Sequence, residues 1–308
     1  MRRVHEPPKI PRLKRDAHKG DRGRVFALGG SLRMSGAIRL TGWGALRGGA
    51  GLVTIACPDA VHAVVAAELT CALTLPLPSR KGVFTVAGAA LAKEHAARAD
   101  AVVVGPGMDT GPRTFLRRFL DGLEAPVVLD ADALNLLALE PEMAASTAGA
   151  RVLTPHPGEA ARLLDADVPK DREGRVRAAA RLADKFHAVV VLKGAGTIVC
   201  DGDRCYVCGA GNPGMGTGGT GDVLAGLIAA RLAAGADPFP AAAQAVFVHA
   251  RAGDLASAAC ENAMIATDLV ANLPAAMSEL CESAPARRKT AKASKSVNNR
   301  SRSRRRRS

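Results

Sequence analysis

The chain has few aromatic residues and no long uninterrupted apolar run. Aromatics make up 3% of its 308 residues, although 48% of the residues are hydrophobic. The core must therefore be built mainly from Val, Leu and Ala in closely packed helices and strands. No stretch approaches 18 apolar residues without Gly, Pro or a charge, so we expect no membrane-spanning helix. The first twenty residues lack the apolar region of a signal peptide, which favours a cytoplasmic location.

The seven cysteines lack the spacing of a disulfide framework, because they are odd in number and scattered along the chain. Cys200, Cys205 and Cys208 have a spacing found in some iron–sulfur proteins. We interpret this segment instead as a β-hairpin with its turn at 201–203. Alternation along the second strand would put Cys205 and Cys208 on opposite faces, which argues against a shared metal.

The net charge of +13 is concentrated at the C-terminal end. Eleven Lys or Arg residues and no acidic residue lie between Pro285 and Ser308, which leaves about +2 for the rest of the chain. We predict that residues 284–308 form a disordered basic tail, which either binds polyanions weakly or is a solvated extension. The rest can form one α/β domain, which we place at 15–283 after an N-terminal extension at 1–14.

Apolar strand-like runs alternate with longer helix-like stretches along the body of the chain. This order predicts a parallel sheet with helices on both faces. The runs are continuously apolar, as expected for strands that are buried on both sides. The predicted strands are at 24–28, 52–56, 101–105, 127–130, 151–153 and 188–193.

Glycines and polar residues directly follow five of these strands. Because parallel strands all end at the same edge of a sheet, these loops should converge on one crevice. A binding site at this edge explains their composition better than turn formation alone. The five loops are at 29–31, 105–107, 130–132, 154–159 and 193–197.

The most informative segment is NPGMGTGGTGD at 212–222, which directly precedes an apolar helix-like run. Its glycines allow close backbone approach to an anion, and we assign Gly218, Gly219 and Thr220 to the anion cradle. Asp222 would lie in the first helical turn, where a carboxylate can accept a proton from a hydroxyl that attacks phosphorus. The alternative is a glycine turn that serves only packing. Neither the P-loop nor the Rossmann fingerprint is present.

The other loops offer side chains with separable roles. Lys193, with the glycines beside it, suits a backbone cradle plus a cation for nucleotide phosphates. His156 either donates to a substrate or serves only its proline-flanked turn. Asp130 and Asp132 are candidates for water or magnesium, although Asp132 would equally serve as a helix N-cap. Glu159 falls where an acid favours the helix dipole, and we do not predict a catalytic role for it.

Taken together, the motifs closely resemble those of the ADP-dependent (S)-NAD(P)H-hydrate dehydratases of the ribokinase-like superfamily. The resemblance covers about residues 15–282. It implies a ribokinase-like three-layer α/β fold with a mostly parallel central sheet flanked by helices. The motifs are HKG at 18–20, GRVFALGGS at 23–31, SGAIRLTGWGALRGGAGLVT at 35–54, GPG at 105–107, LTPHPGEAARLL at 153–164, VLKGAGT at 191–197 and GNPGMGTGGTGDVLAG at 211–226.

The resemblance implies a repair enzyme that dehydrates the S-epimer of hydrated NADH or NADPH (NADHX or NADPHX) and so regenerates the reduced cofactor. The co-substrate would be ADP or ATP with Mg²⁺, and the hydrate hydroxyl would be phosphorylated before phosphate is eliminated. A homo-oligomer, specifically a tetramer, is also expected from the resemblance. Many relatives carry an additional epimerase domain, for which the roughly twenty residues before the body are too few. We therefore expect action on one epimer.

Residue roles follow from the same resemblance. The positions that contact the hydrate are Ala37, Gly107, His156 and Asp222. Those that hold the adenine nucleotide are Lys193, Gly194, Ala195, Gly196, Thr197 and Gly221. No metal ligand is identified.

Two departures from the family pattern are Gly216, where Ala is frequent, and Met34, where an aromatic is frequent. Neither removes a catalytic group. The main alternative is a kinase of the same superfamily that acts on a small alcohol or vitamin precursor. A further alternative is an inactive nucleotide-binding scaffold with an RNA-binding tail, against which Asp222 and Lys193 argue.

Overall fold

A computed structural model describes residues 1–282, and the predicted basic tail at 284–308 lies outside the described residues. The strands are β1 (Arg2–Val4), β2 (Arg24–Leu28), β3 (Leu52–Pro58), β4 (Leu73–Leu77), β5 (Ser79–Arg80), β6 (Val83–Phe84), β7 (Ala101–Val104), β8 (Val127–Leu129), β9 (Arg151–Leu153), β10 (Val189–Leu192), β11 (Ile198–Cys200) and β12 (Arg204–Val207). The six strands predicted from the sequence are all present, with ends shifted by no more than two residues.

The helices separate and flank these strands. They are α1 (Ser35–Arg47), α2 (His62–Glu68), α3 (Ala89–Ala96), α4 (Arg113–Leu120), α5 (Asp132–Leu139), α6 (Glu142–Ala145), α7 (Pro157–Leu164), α8 (Arg172–Phe186), α9 (Thr220–Ala233), α10 (Pro238–Ala256) and α11 (Ala266–Leu280). Within residues 1–282, no helix combines the length and the apolar character that crossing a membrane requires.

One large sheet organises the molecule, with the strand order β1-β12-β11-β10-β9-β8-β7-β2-β3-β4. Every neighbouring pair from β10 to β4 is parallel, whereas β11 is antiparallel to both of its neighbours. The mostly parallel sheet predicted from the sequence is therefore confirmed. Near the N-terminus, β1 pairs with β12, so the predicted extension at 1–14 contributes an edge strand.

Two apolar layers cover the two faces of the sheet. Alternate residues of β2 separate between them, with Val25 and Ala27 on one side and Phe26 and Leu28 on the other. The first layer contains α1, α2, α9, α10 and α11, and the second contains α3 to α8. This arrangement confirms the predicted three-layer fold.

The contact between α1 and α9 depends on glycines. A Cβ atom on Gly44 would lie 2.2 Å from the carbonyl oxygen of Val223. A Cβ atom on Gly226 would lie 2.0 Å from the carbonyl oxygen of Thr41. The two backbones are therefore closer than any larger residue permits. This packing fixes the height of the start of α9 relative to the sheet edge.

The predicted hairpin is present as β11 and β12, with its turn at 201–203. Cys205 and Cys208 lie on opposite faces of the sheet, as expected, because they belong to different apolar layers. The Cys200–Cys205 disulfide was not predicted from the sequence. Spacing along the chain does not reveal it, whereas antiparallel pairing places these two residues directly opposite each other.

Candidate active site

Loops from neighbouring strands meet at one edge of the parallel sheet, as predicted for four of the five loops, whereas no residue of the fifth loop, at 193–197, is among the described residues that line the cavity there. The loops after β2, β7, β8 and β9, together with the starts of α1 and α9, surround a cavity of about 480 Å³. Three of the four positions that the sequence analysis assigned to the hydrate line this cavity, namely Ala37, Gly107 and Asp222. Other lining residues include Arg33, Met34, Asp132, Glu159, Gly218 and Gly219.

The glycine-rich loop before α9 is held by local contacts. The hydroxyl of Thr220 is directed to the carbonyl oxygens of Met215 and Thr217, at 3.0 and 3.2 Å. Gly219 has a φ of +94°, which a residue with a side chain rarely adopts. The Thr220 hydroxyl therefore shapes the loop, and the amides of the helix start remain the groups that suit an anion.

A buried histidine also contacts the start of α9. Nε2 of His249, on α10, lies 2.8 Å from the carbonyl oxygen of Thr220. Because a carbonyl only accepts hydrogen bonds, Nε2 carries the proton and donates. Burial lowers the pKa of His249 to about 4, so the ring is neutral at pH 7. His249 was not predicted from the sequence.

Asp222 lies in the first turn of α9, as predicted, and is close to other carboxylates. Burial raises the pKa of Asp222 to about 7, and the negative charge of Asp130 contributes to the increase. The ammonium group of Lys193 acts in the opposite direction. Near neutral pH, Asp222 is therefore able both to accept and to release a proton.

Lys193 does not extend along its loop toward solvent. Its Nζ donates to Oδ1 of Asp130 at 2.8 Å and lies 3.8 Å from Oε2 of Glu159. Burial alone would lower the pKa of Lys193, but these carboxylates outweigh burial and raise it. The predicted cation for nucleotide phosphates is thus already paired within the protein.

Room for this lysine comes from a glycine on α9. A Cβ atom on Gly221 would lie 3.4 Å from Nζ of Lys193. The hydroxyl of Thr154 also donates to Oδ1 of Asp130, at 2.6 Å. Asp130 is almost fully buried, with 1% of its side chain exposed, and these two donors compensate its charge.

His156 is the N-cap of α7, which confirms that it serves its turn. Nδ1 accepts from the amides of Gly158 and Glu159, at 3.0 and 3.3 Å. A carboxylate oxygen of Glu159 in turn accepts from the His156 amide at 2.8 Å. Burial and the charge of Lys193 lower the pKa of His156. Because Nδ1 accepts, the neutral ring carries its proton on Nε2, which lies 3.4 Å from Oε1 of Glu159. His156 is not one of the described residues that line the cavity.

Asp132 is the first residue of α5 rather than its N-cap. Its carboxylate accepts from the Asp109 amide at 2.9 Å and from the side-chain amide of Asn135 at 3.3 Å. Ala131, which precedes it, has φ 49° and ψ −116°, a strained conformation for a residue with a side chain. Within residues 1–282, no group of three or more His, Cys, Asp or Glu side chains has the geometry of a metal site.

The predicted nucleotide loop at 193–197 joins β10 to β11, and Gly194 and Ala195 are exposed in it. Arg175, on α8, donates to the carbonyl oxygen of Ala195 and, at 3.2 Å, to that of Lys193. Arg175 was not predicted from the sequence, because no signal there separates it from the other arginines of α8.

Comparisons with known proteins show the family of the chain. The sequence model of the NAD(P)H-hydrate dehydratase family matches residues 25–275. The bifunctional NAD(P)H-hydrate repair enzyme Nnr of Moorella thermoacetica is 41% identical over 283 residues, which cover 89% of this chain and 52% of that enzyme. The chain thus spans about half the length of the curated relatives it matches.

Solved structures show the same fold. The ADP/ATP-dependent NAD(P)H-hydrate dehydratase of Bacillus subtilis, co-crystallised with ATP and Mg²⁺, has a TM-score of 0.73 and 28% identity, over 88% of this chain and 95% of that one. A ribokinase-like superfamily protein of Enterococcus faecalis has a TM-score of 0.73 and 27% identity, over 89% of this chain and 93% of that one. The match to the family model covers most of the body of the chain, and the chain belongs to the NAD(P)H-hydrate dehydratase family.

Proposed function

We propose that this chain catalyses the nucleotide-dependent dehydration of the S-epimer of NADHX or NADPHX and returns NADH or NADPH. The observation that carries the proposal is the place of Asp222, a carboxylate with a pKa of about 7 at the start of a helix that faces the cavity. The name of the Bacillus subtilis relative supports an adenine nucleotide as co-substrate. We propose ADP as the nucleotide, with ATP as the alternative.

The proposed chemistry has two steps. In the first, Asp222 takes the proton of the hydrate hydroxyl, whose oxygen attacks the terminal phosphorus of the nucleotide. An O–P bond forms, the bond from the terminal phosphorus to the bridging oxygen breaks, and AMP is the leaving group. In the second, the C–O bond to the phosphate breaks, the adjacent carbon loses a proton that leaves with the inorganic phosphate, and the nicotinamide double bond returns. The sum is hydrate and ADP converted into reduced cofactor, AMP and phosphate.

The two loops divide the binding work in this proposal. Backbone amides at Gly218, Gly219 and Thr220 stabilise the charge that develops on the transferred phosphoryl group. Residues 193–197 and Gly221 hold the nucleotide. Ala37, Gly107 and His156 contact the hydrate. These assignments rest on the family motifs and on the common sheet edge at which the residues lie.

Magnesium fits this site as a partner of the phosphates. Mg²⁺ usually binds one or two carboxylates together with substrate phosphates, and Asp132 and Glu159 line the cavity. The metal would neutralise negative charge on the nucleotide during transfer. Asp132 is the more suitable of the two carboxylates, because Glu159 lies 3.8 Å from the Lys193 ammonium. Asp130 is not among the described residues that line the cavity, and it forms a closer pair with Lys193, at 2.8 Å.

The first experiment follows the return of reduced-nicotinamide absorbance from the S-epimer of NADHX, with Mg²⁺ and either ADP or ATP. Recovery should require nucleotide and be lost in Asp222→Asn. Asp203→Asn, an exposed acid in the hairpin turn, is the matched control and should keep full activity. A phosphorylated product without regained NADH would instead support the small-alcohol kinase. The tetramer, the cytoplasmic location and the 15–283 domain boundaries stay predictions.

A further inference from the structure

Arg175 is a half-buried arginine whose contacts are unusual for its charge. None of the ion pairs among residues 1–282 includes it. Its guanidinium donates only to main-chain carbonyls of the loop at 193–197, and its Nε is buried without a partner in that part of the chain. A partly buried cation usually has a carboxylate partner, so these contacts require an explanation.

The contacts of Arg175 fix the orientation of two peptide groups. In a trans peptide, the amide hydrogen points away from the carbonyl oxygen of the same group. The carbonyls of Lys193 and Ala195 are directed at Arg175. The amide hydrogens of Gly194 and Gly196 must therefore point away from Arg175.

These amides have no other use within the described structure. Of the hydrogen bonds among residues 1–282, none uses the amide hydrogen of Gly194, Ala195 or Gly196. The intervening carbonyl, that of Gly194, accepts from the hydroxyl of Thr197 at 2.9 Å. Three successive carbonyls, which would repel phosphate oxygens, are thus bonded to side chains, while the amides remain available.

Positive φ angles at both glycines are part of this arrangement. Gly194 has φ +128° and Gly196 has φ +62°. A Cβ atom on Gly194 would lie 3.1 Å from a terminal nitrogen of Arg175, so the guanidinium lies directly against the backbone. Without this contact the loop could adopt many backbone conformations, because its two glycines permit a wide range of φ and ψ angles.

We propose that Arg175 is a positioning residue for the nucleotide. It does not touch the ligand but holds the loop so that its amides face the oxygen atoms of an adenine nucleotide. The inference rests on the proposed function in one respect, namely that residues 193–197 hold that nucleotide. Its role is distinct from that of Lys193, whose side chain lies within the carboxylate cluster.

The test compares Arg175→Lys and Arg175→Gln with Arg177→Gln, an exposed arginine on the same helix. Binding of Mg-ATP is measured by titration calorimetry, and kcat and both KM values by the return of NADH absorbance. We expect the Kd and KM for nucleotide to rise about tenfold in both Arg175 variants, as for the loss of one hydrogen bond to a charged donor. At saturating nucleotide, kcat should remain within about twofold, and the KM for the hydrate should not change. Arg177→Gln should match the wild type.

A fourth variant, Ala195→Asp, adds a negative charge to the exposed part of the loop and separates two kinds of failure. If Ala195→Asp weakens Mg-ATP binding but both Arg175 variants bind normally, the positioning role is wrong and the nucleotide loop stands. If Ala195→Asp also binds Mg-ATP normally while dehydration continues, the loop does not hold the nucleotide and the inference fails with it. A parallel fall of kcat and both affinities in Arg175→Lys would indicate a merely structural residue.

Discussion

Two loops bring backbone amides to the same edge of the sheet, but the protein orients them by different means. The loop before α9 is tied by the Thr220 hydroxyl to carbonyls three and five residues earlier, and it continues directly into a helix. The loop at 193–197 continues into an antiparallel strand and is tied by Arg175, which lies about twenty residues earlier in the chain. The Thr220 side chain thus shapes the first loop from within its own segment, with His249 bonded to the Thr220 carbonyl, whereas the second loop is tied by a side chain from another helix.

We expect this difference to correspond to a difference between the proposed roles of the two loops. A helix start concentrates amides and a favourable dipole at one point, which suits the transient charge of a transferred phosphoryl group. Asp222 is also located there, within the first turn. The 193–197 loop has no helix and no free carboxylate, which suits ground-state binding of the nucleotide. Variants of the two loops should therefore separate kcat from the KM for nucleotide.

The largest expected effect is that of Asp222→Asn. Without a group to accept the hydroxyl proton, kcat should fall about 10²- to 10⁴-fold. Mg-ATP binding, measured by calorimetry, should change little. In the wild type, the pH profile of kcat/KM for the hydrate should rise with a midpoint near the Asp222 pKa of about 7. A variant that retained more than a tenth of the wild-type rate would exclude Asp222 as the base.

Lys193→Met comes next, because Lys193 connects the two regions. Its backbone belongs to the loop at 193–197, and its ammonium group pairs with Asp130. Removal leaves a buried carboxylate unpaired and should lower the free energy of unfolding by about 3–5 kcal/mol in urea titrations. The pKa of Asp222 should rise further, which moves the midpoint of the rate profile to higher pH. Lys170→Met, an exposed lysine, should change neither quantity.

The contrast between the two loops also explains which parts of the site could be predicted from the sequence. Periodic apolar runs and strand-end glycines predicted the sheet, its three layers and the edge at which the loops meet. Asp222 was recognisable because the residues that define its role are its neighbours in the chain. The contacts of Arg175 and the pairing of Lys193 with Asp130 were not recognisable, because each depends on residues that meet only in the fold. The Cys200–Cys205 disulfide was missed for the same reason.

Gly219→Ala should disturb only the loop before α9. Gly219 has φ +94°, and an added Cβ would lie 2.4 Å from Cδ1 of Leu40. Displacing the helix start should lower kcat about tenfold, since strain of about 1–3 kcal/mol must be relieved there. The KM for nucleotide should change less than it does in Arg175→Gln. Gly209→Ala, whose added Cβ meets nothing within 4 Å, is the control.

The smallest effect concerns the pH dependence of stability. Asp222, in the first turn of α9, and His249, which bonds to the Thr220 carbonyl there, contribute to it with opposite signs. The pKa of His249 is lowered to about 4, so as pH falls from about 6.5 to 4 the unfolded chain binds a proton that the folded chain does not, and stability is lost. The pKa of Asp222 is raised to about 7, so in nearly the same window the folded chain binds the extra proton, and stability is gained. The two contributions largely cancel in the wild type.

Single substitutions should reveal each contribution, because each substitution removes one of the two titrating groups. Between pH 7 and pH 5, the free energy of unfolding should fall by about 1–2 kcal/mol more in Asp222→Asn than in the wild type. In His249→Gln, which keeps a donor near the Thr220 carbonyl, it should rise over the same interval relative to the wild type. Urea titrations at the two pH values measure both slopes. Equal slopes in all three proteins would mean that neither group has a different pKa in the folded and unfolded states. The pH midpoint of catalysis could then no longer be assigned to Asp222.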